Sequence, residues 1–140
     1  MHWPFGKPKP LGQRGEALAR RFLRRAGMKI LARNYRCPNG EIDLIALDRS
    51  TRAELGAETI AFVEVKTRSD DRYVSPASAV DDRKQKQVRR AAGYYLAHYP
   101  TAGYAIRFDV ISIVLPEPRD DGQGERTRQE PRIEHIRGAF

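Results

Sequence analysis

An aspartate, a glutamate and a lysine stand in stretches of this chain that are otherwise apolar. Asp43 lies within Gly40-Glu41-Ile42-Asp43-Leu44-Ile45-Ala46-Leu47, and Glu64 and Lys66 lie within Thr59-Ile60-Ala61-Phe62-Val63-Glu64-Val65-Lys66. In the second stretch a strand would put Ile60, Phe62, Glu64 and Lys66 on one face and Ala61, Val63 and Val65 on the other. Both faces are largely apolar, which predicts a strand buried on both sides. A carboxylate or ammonium group there has to be paired, hydrated or bound to something. Glu64 and Lys66, two residues apart, project to one side at roughly 6.5 to 7 Å, a spacing that can straddle a phosphate.

The polar connection from Asp48 to Thr59, with Gly56 inside it, makes the two stretches an antiparallel hairpin with a longish loop. That pairing sets Asp43 beside Glu64. Two neighbouring carboxylates without cysteine or histidine form a hard-oxygen site, suited to Mg²⁺ or Mn²⁺ rather than zinc.

The elements around the hairpin carry positive charge. Leu18, Phe22, Leu23 and Ala26 recur at helical spacing from Gly12 onward, Arg20, Arg21, Arg24 and Arg25 crowd the other side, and Gly27 stops the run. Phosphates could bind that face; a solvated arginine-rich helix would look the same. Glu16, read as lying in the first turn, is either a dipole-stabilising carboxylate or a group near the core edge with a further role. Residues 28 to 35 read as a short strand. After Lys66 a polar segment carries Arg68 and Arg72 within reach of phosphate, and Ser75-Pro76 reads as a helix start. In the following helix Val88, Ala91, Ala92, Tyr95, Leu96 and Tyr99 form the apolar stripe. Lys84, one turn before Val88, points with that stripe towards the sheet, where it either meets an anion or snorkels to solvent. Residues 104 to 115 form the longest strand, with Arg107 and Asp109 on one face, pairing with each other or with neighbouring strands. A charged hairpin loop follows from Pro116 to Pro131, and an edge strand from Arg132 to Ile136.

The chain has 140 residues, enough for one domain. Residues 1 to 11 read as a flexible basic arm and 12 to 140 as the domain. The net charge is +8, and residues 1 to 36 hold ten basic side chains against Glu16 alone, the footprint of a polyanion binder. Cys37 is the only cysteine, so no intramolecular disulfide and no cysteine zinc cluster can form, and the three histidines show no ligand spacing. No apolar run approaches a membrane span or signal-peptide core, so no membrane partner and a cytoplasmic location are expected.

Asp43 followed by Glu64-Val65-Lys66 resembles the D…(D/E)xK signature of the PD-(D/E)xK nuclease superfamily. The likeness extends over nearly the whole chain, in order, to the bacterial YraN-like endonuclease family. It is carried by Gly15-Glu16, Asn34-Tyr35-Arg36, Gly40 to Ile45, Phe62 to Arg68, Ala79-Val80 with Lys84, Arg107 to Val110 and Ala139-Phe140. Ile42 stands where the superfamily's name places a proline, a position loosely kept there.

The resemblance implies an α/β fold with a restriction-endonuclease-like core, a central mixed β-sheet flanked by helices. It implies Mg²⁺ or Mn²⁺ held by Asp43, Glu64 and the Val65 carbonyl, and Lys66 orienting water or stabilising charge on phosphate. Glu16 would join as an extra ligand or water-orienting group, as in resolvases that cut Holliday junctions. The expected reaction is phosphodiester hydrolysis in DNA, and a homodimer would be needed to cut two strands. Two other readings fit the same residues: a nucleic-acid-binding module that does not cut, and a scaffold in which Glu64 and Lys66 form a buried ion pair.

Overall fold

The computed structural model describes residues 11–38, 40–69, 80–116, 119–120, 122, 126–127 and 130–140. Helix α1 (Leu11–Arg25) leads into strands β1 (Lys29–Cys37) and β2 (Gly40–Asp48), then a 3₁₀ turn (Arg49–Thr51) and the short helix α2 (Arg52–Leu55). Strand β3 (Thr59–Arg68), helix α3 (Asp82–His98), strand β4 (Ala105–Val114), the two-residue strands β5 (Arg119–Asp120) and β6 (Arg126–Thr127), and strand β7 (Arg132–Ile136) complete the order. Five strands form one mixed sheet in the order β1-β2-β3-β4-β7, parallel only between β3 and β4. The protein is thus α/β with a mixed sheet flanked by helices, compatible with a restriction-endonuclease-like core.

The double-sided burial expected of β3 is present. Ala61, Val63 and Val65 face a cluster with Ala19 and Leu23 of α1, and Ile60 and Phe62 face one with Val88, Ala91, Ala92 and Tyr95 of α3. Helix α1 buries Gly15, Ala19 and Leu23, a spacing of four that keeps one stripe on the sheet. It ends in a Schellman arrangement: the Met28 amide donates to the Leu23 carbonyl and the Gly27 amide to that of Arg24, with Gly27 at φ +87°. Helix α3 starts on Asp81, whose side chain accepts from the Lys84 amide.

Arg107 and Asp109 pair as expected, through Nε–Oδ1 at 2.8 Å and Nη2–Oδ2 at 2.9 Å. The network extends further. Arg107 Nη1 donates to Asp48 Oδ2 at 2.9 Å, and His135 Nε2 and the Gly138 amide also meet Asp109. It joins the ends of β2 and β4 to β7 and the chain beyond it.

Three boundaries differ from the sequence reading. The β2–β3 connection is not all loop, because Asp48 folds back on Ser50 and starts the 3₁₀ turn that leads into α2. Strand β3 continues through Thr67 and Arg68, which pair with Ile113 and Val114. Helix α1 already includes Leu11, assigned above to the arm. The rest of that arm, Arg72, the Ser75-Pro76 helix start and much of 116–131 lie outside the described residues. No helix among those described is long and apolar enough to cross a membrane.

Candidate active site

The β2–β3 ladder has its last pair at Leu44 and Val63; one step further, the same register brings Asp43 to Glu64. Pairing stops there because the Asp43 side chain takes over: its Oδ2 accepts the Val65 amide at 2.9 Å. Strand alternation also breaks at this point. Strict alternation would put Ile42 on the same side as Leu44, yet Ile42 packs on the α3 side with Ile45. Across β1, Asn34 falls between the pairs Arg33–Leu44 and Tyr35–Ile42 and adopts φ +50°, a left-handed backbone that asparagine tolerates.

Glu64 is only 2 % exposed, and its Oε1 has no hydrogen-bond partner. Its Oε2 lies 3.7 Å from Lys84 Nζ, which reaches in from the first turn of α3. Burial, followed by repulsion from Asp43, pushes the Glu64 carboxyl up to about 7, against the opposing pull of Lys84 and Lys66. Burial also raises Asp43, although the Val65 N–H, Lys84 and Lys66 pull it back. The half-buried Lys66 therefore acts on both carboxylates.

Helix α1 contributes Glu16. Gly15 sits against the Thr67 side chain so closely that a Cβ there would collide with it, and the bare backbone lets α1 settle on the end of β3. Glu16 is thereby near Asp43, and burial followed by that charge raises its pKa, opposed by a hydrogen bond with Asn34 and by Arg20. The first-turn placement read from the sequence is corrected: α1 begins at Leu11 and has no acid in its first turn, so Glu16 is beyond the strongest reach of the helix dipole.

The structure thus gathers Asp43, Glu64, Lys66, Lys84 and Glu16, with the Val65 amide tied to Asp43. Arg20 joins through Glu16, and Arg68 lies on β3 two residues past Lys66. Arg21 is exposed on α1. Arg24 is not brought to the cluster; it lines a shallow depression with Lys29 and Arg49 near the other end of β2.

Sequence reasoning missed Glu41, whose charge raises Asp43, Glu64 and Glu16, and the part played by Asn34. Asparagine in a strand, a residue that accepts positive φ, was the available signal. Among the described residues no three His, Cys, Asp or Glu side chains form a ready metal cage. The protein supplies a pair of carboxylates instead.

Fold and cluster together define an α/β protein that collects a buried carboxylate, Glu64, with half-buried carboxylates and lysines where a hairpin's pairing ends. The chain belongs to the Uncharacterised protein family UPF0102, which matches residues 15–113 and so spans every residue of the cluster. It is 44% identical over 135 residues to a UPF0102 protein of Nocardia farcinica, covering 96% of this chain and 92% of that one. A UPF0102 protein of Moorella thermoacetica is 41% identical over 129 residues, covering 92% and 93% of the two chains. One from Mycobacterium tuberculosis is 44% identical over 128 residues, covering 91% and 90%.

Proposed function

We propose that this protein is a metal-dependent nuclease of the PD-(D/E)xK type, hydrolysing phosphodiester bonds in DNA, with branched recombination or repair intermediates as its substrate class. The observation that carries the reading is the unpartnered, buried Glu64 Oε1 beside Asp43. An acceptor without a donor, next to a second carboxylate, fits a cation. Two carboxylates with no cysteine or histidine suit Mg²⁺ or Mn²⁺, which commonly use one or two carboxylates and fill the remaining positions with water and substrate phosphate.

In this reading Asp43, Glu64 and the Val65 carbonyl hold the ion. When bound it would polarise the phosphate and lower the pKa of the attacking water. The rest is the work of the chain's own groups. The Val65 N–H fixes the Asp43 carboxylate in one orientation. Lys66 stabilises negative charge growing on the phosphate oxygens. Lys84, which meets Glu64 in the free protein, passes to phosphate once Glu64 is neutralised. Glu16, outside any three-acid cage, orients water rather than ligating. A homodimer would present two such sites to two strands.

The test is incubation with branched, single-stranded and duplex DNA with Mg²⁺ or Mn²⁺, beside Asp43→Ala and Lys66→Ala. Metal-dependent cleavage absent from both variants is expected. DNA retardation without cleavage, unchanged in the variants, would favour a binding protein that keeps the nuclease fold.

A further inference from the structure

We infer that α3 is a track for single-stranded nucleic acid, leading away from the carboxylate cluster and ending on a two-ring stacking platform formed by Tyr94 and His98. The inference extends the nuclease reading by specifying that its substrate has an unpaired segment.

Lys84, in the first turn of α3, touches Glu64, so the helix starts at the site and runs about 21 Å from there to His98. Between Arg83 and His98 there is no acidic residue; Asp82 precedes the run and Asp81 is engaged as the cap. Arg83, Lys86 and Arg90 fall on the side opposite Val88, Ala91, Ala92 and Tyr95, are exposed, and form no ion pair among the described residues. Arg89 leans away from them, over the Phe108 and Phe140 rings.

The basic stripe then becomes aromatic. The Tyr94 and His98 rings stack with centroids 4.0 Å apart and planes 21° from parallel. His98 Nδ1 lies 2.7 Å from the Tyr94 carbonyl, which can only accept, so that nitrogen carries the proton and the ring is held in place. Gly93 and Ala97, on the same outward side, leave the backbone beside the rings uncrowded. A charged stripe alone describes any solvated helix. Cations in line with a prearranged ring pair, its outer ring His98 exposed and Tyr94 half-buried beneath it, match what single strands require: phosphate contacts, then a flat surface for a base free of its own stack. Duplex DNA offers no free base face to the rings.

The test measures binding in chelator, where cleavage does not contribute, using a fluorescein-labelled single-stranded 12-mer, the same sequence as duplex, and a strand carrying 2-aminopurine. The single strand is expected to bind more tightly than the duplex and to show quenching of 2-aminopurine. Lys86→Ala with Arg90→Ala should weaken binding and reduce the slope of log affinity against log salt by about 1.4. Tyr94→Ala with His98→Ala should weaken it roughly tenfold and remove the quenching while leaving the slope unchanged. Tyr94→Phe, which keeps the ring, should bind as the unaltered protein does. Equal affinity for duplex and single strand, or quenching that survives the ring substitutions, overturns the inference. Failure of the nuclease reading would register separately, as no cleavage with metal while these binding differences persist.

Discussion

The carboxylate of Asp43, one residue past the last β2–β3 pair, accepts at 2.9 Å the main-chain N–H of Val65, which lies two residues past that pair on the other strand. A side chain thus completes the hairpin where the backbone ladder ends, and the same side chain faces Glu64. Asp43→Asn keeps an acceptor for Val65 and removes the charge that Glu64 and Glu16 oppose, whereas Asp43→Ala leaves the amide unsatisfied. Urea denaturation in chelator should find the Asn variant at least as stable as the parent and the Ala variant about 1 to 2 kcal/mol below the Asn variant. Equal stabilities for the two variants would show that the hydrogen bond carries little.

Glu64 gives the metal-free protein a pH dependence of definite sign. Its folded-state pKa of about 7 lies above the ordinary 4.5, so the fold favours the protonated form. The unfolded chain releases its proton first, and stability falls as pH rises from about 4.5 through 7. The loss attributable to Glu64 is about 2 to 3 kcal/mol. Urea midpoints at pH 5 and pH 8 should therefore diverge in the parent and draw together in Glu64→Gln. An undiminished gap in the variant would place the effect on Asp43 or Glu16, whose pKa values are raised as well.

How much of this could be read from the chain alone follows from periodicity. Alternation in β3 and helical spacing in α3 predicted buried faces at Phe62 and at Val88, Ala91, Ala92 and Tyr95, while Ala26 and Tyr99, read into the helical stripes, are exposed; hairpin logic placed Asp43 by Glu64. The approach of Lys84 followed from its place one turn before Val88. Features that depend on a break in regularity were not legible. Beyond the asparagine at position 34, nothing local announces that alternation slips at Ile42, and Asp43 bonding to a backbone amide replaces a ladder bond that pattern alone would expect. Gly15 was visible as a glycine, but its reason, contact with Thr67 on a distant strand, is tertiary. His135, solitary in sequence, gains its role only when β7 pairs with β4.

Arg107 holds two buried carboxylates, Asp48 and Asp109. Burial alone would raise both; hydrogen bonds from Ser50 and Arg107 to Asp48, and from His135, Arg107 and the Gly138 amide to Asp109, outweigh it and leave both below the usual value. Removing the guanidinium strands two charges, so Arg107→Met should cost about 3 to 5 kcal/mol in thermal or urea denaturation. Because depressed carboxyl pKa values stabilise above the unfolded value and cease to do so as pH falls through the folded one, the parent should lose stability below about pH 4. The variant should show a shallower loss across that range.

Gly15→Val introduces a side chain where Thr67 leaves no room, lifting α1 from the end of β3. Overpacking of this kind costs about 1 to 3 kcal/mol. Cleavage should fall further than denaturation predicts, because Glu16 moves with the helix. Pairing Gly15→Val with Thr67→Ala should recover much of both losses, and recovery of stability without recovery of cleavage would separate the seat of α1 from the placement of Glu16.

The claim on which the functional account rests is that Asp43 and Glu64 together hold a divalent ion. Mn²⁺ binding at pH 7.5, followed by electron paramagnetic resonance of the free ion, tests it without any assumption about substrate. One site per chain is expected, weakened at least tenfold in Asp43→Ala and in Glu64→Ala and retained in Lys66→Ala. Binding that persists unchanged in both carboxylate variants, or no binding in the parent at millimolar Mn²⁺, would contradict it.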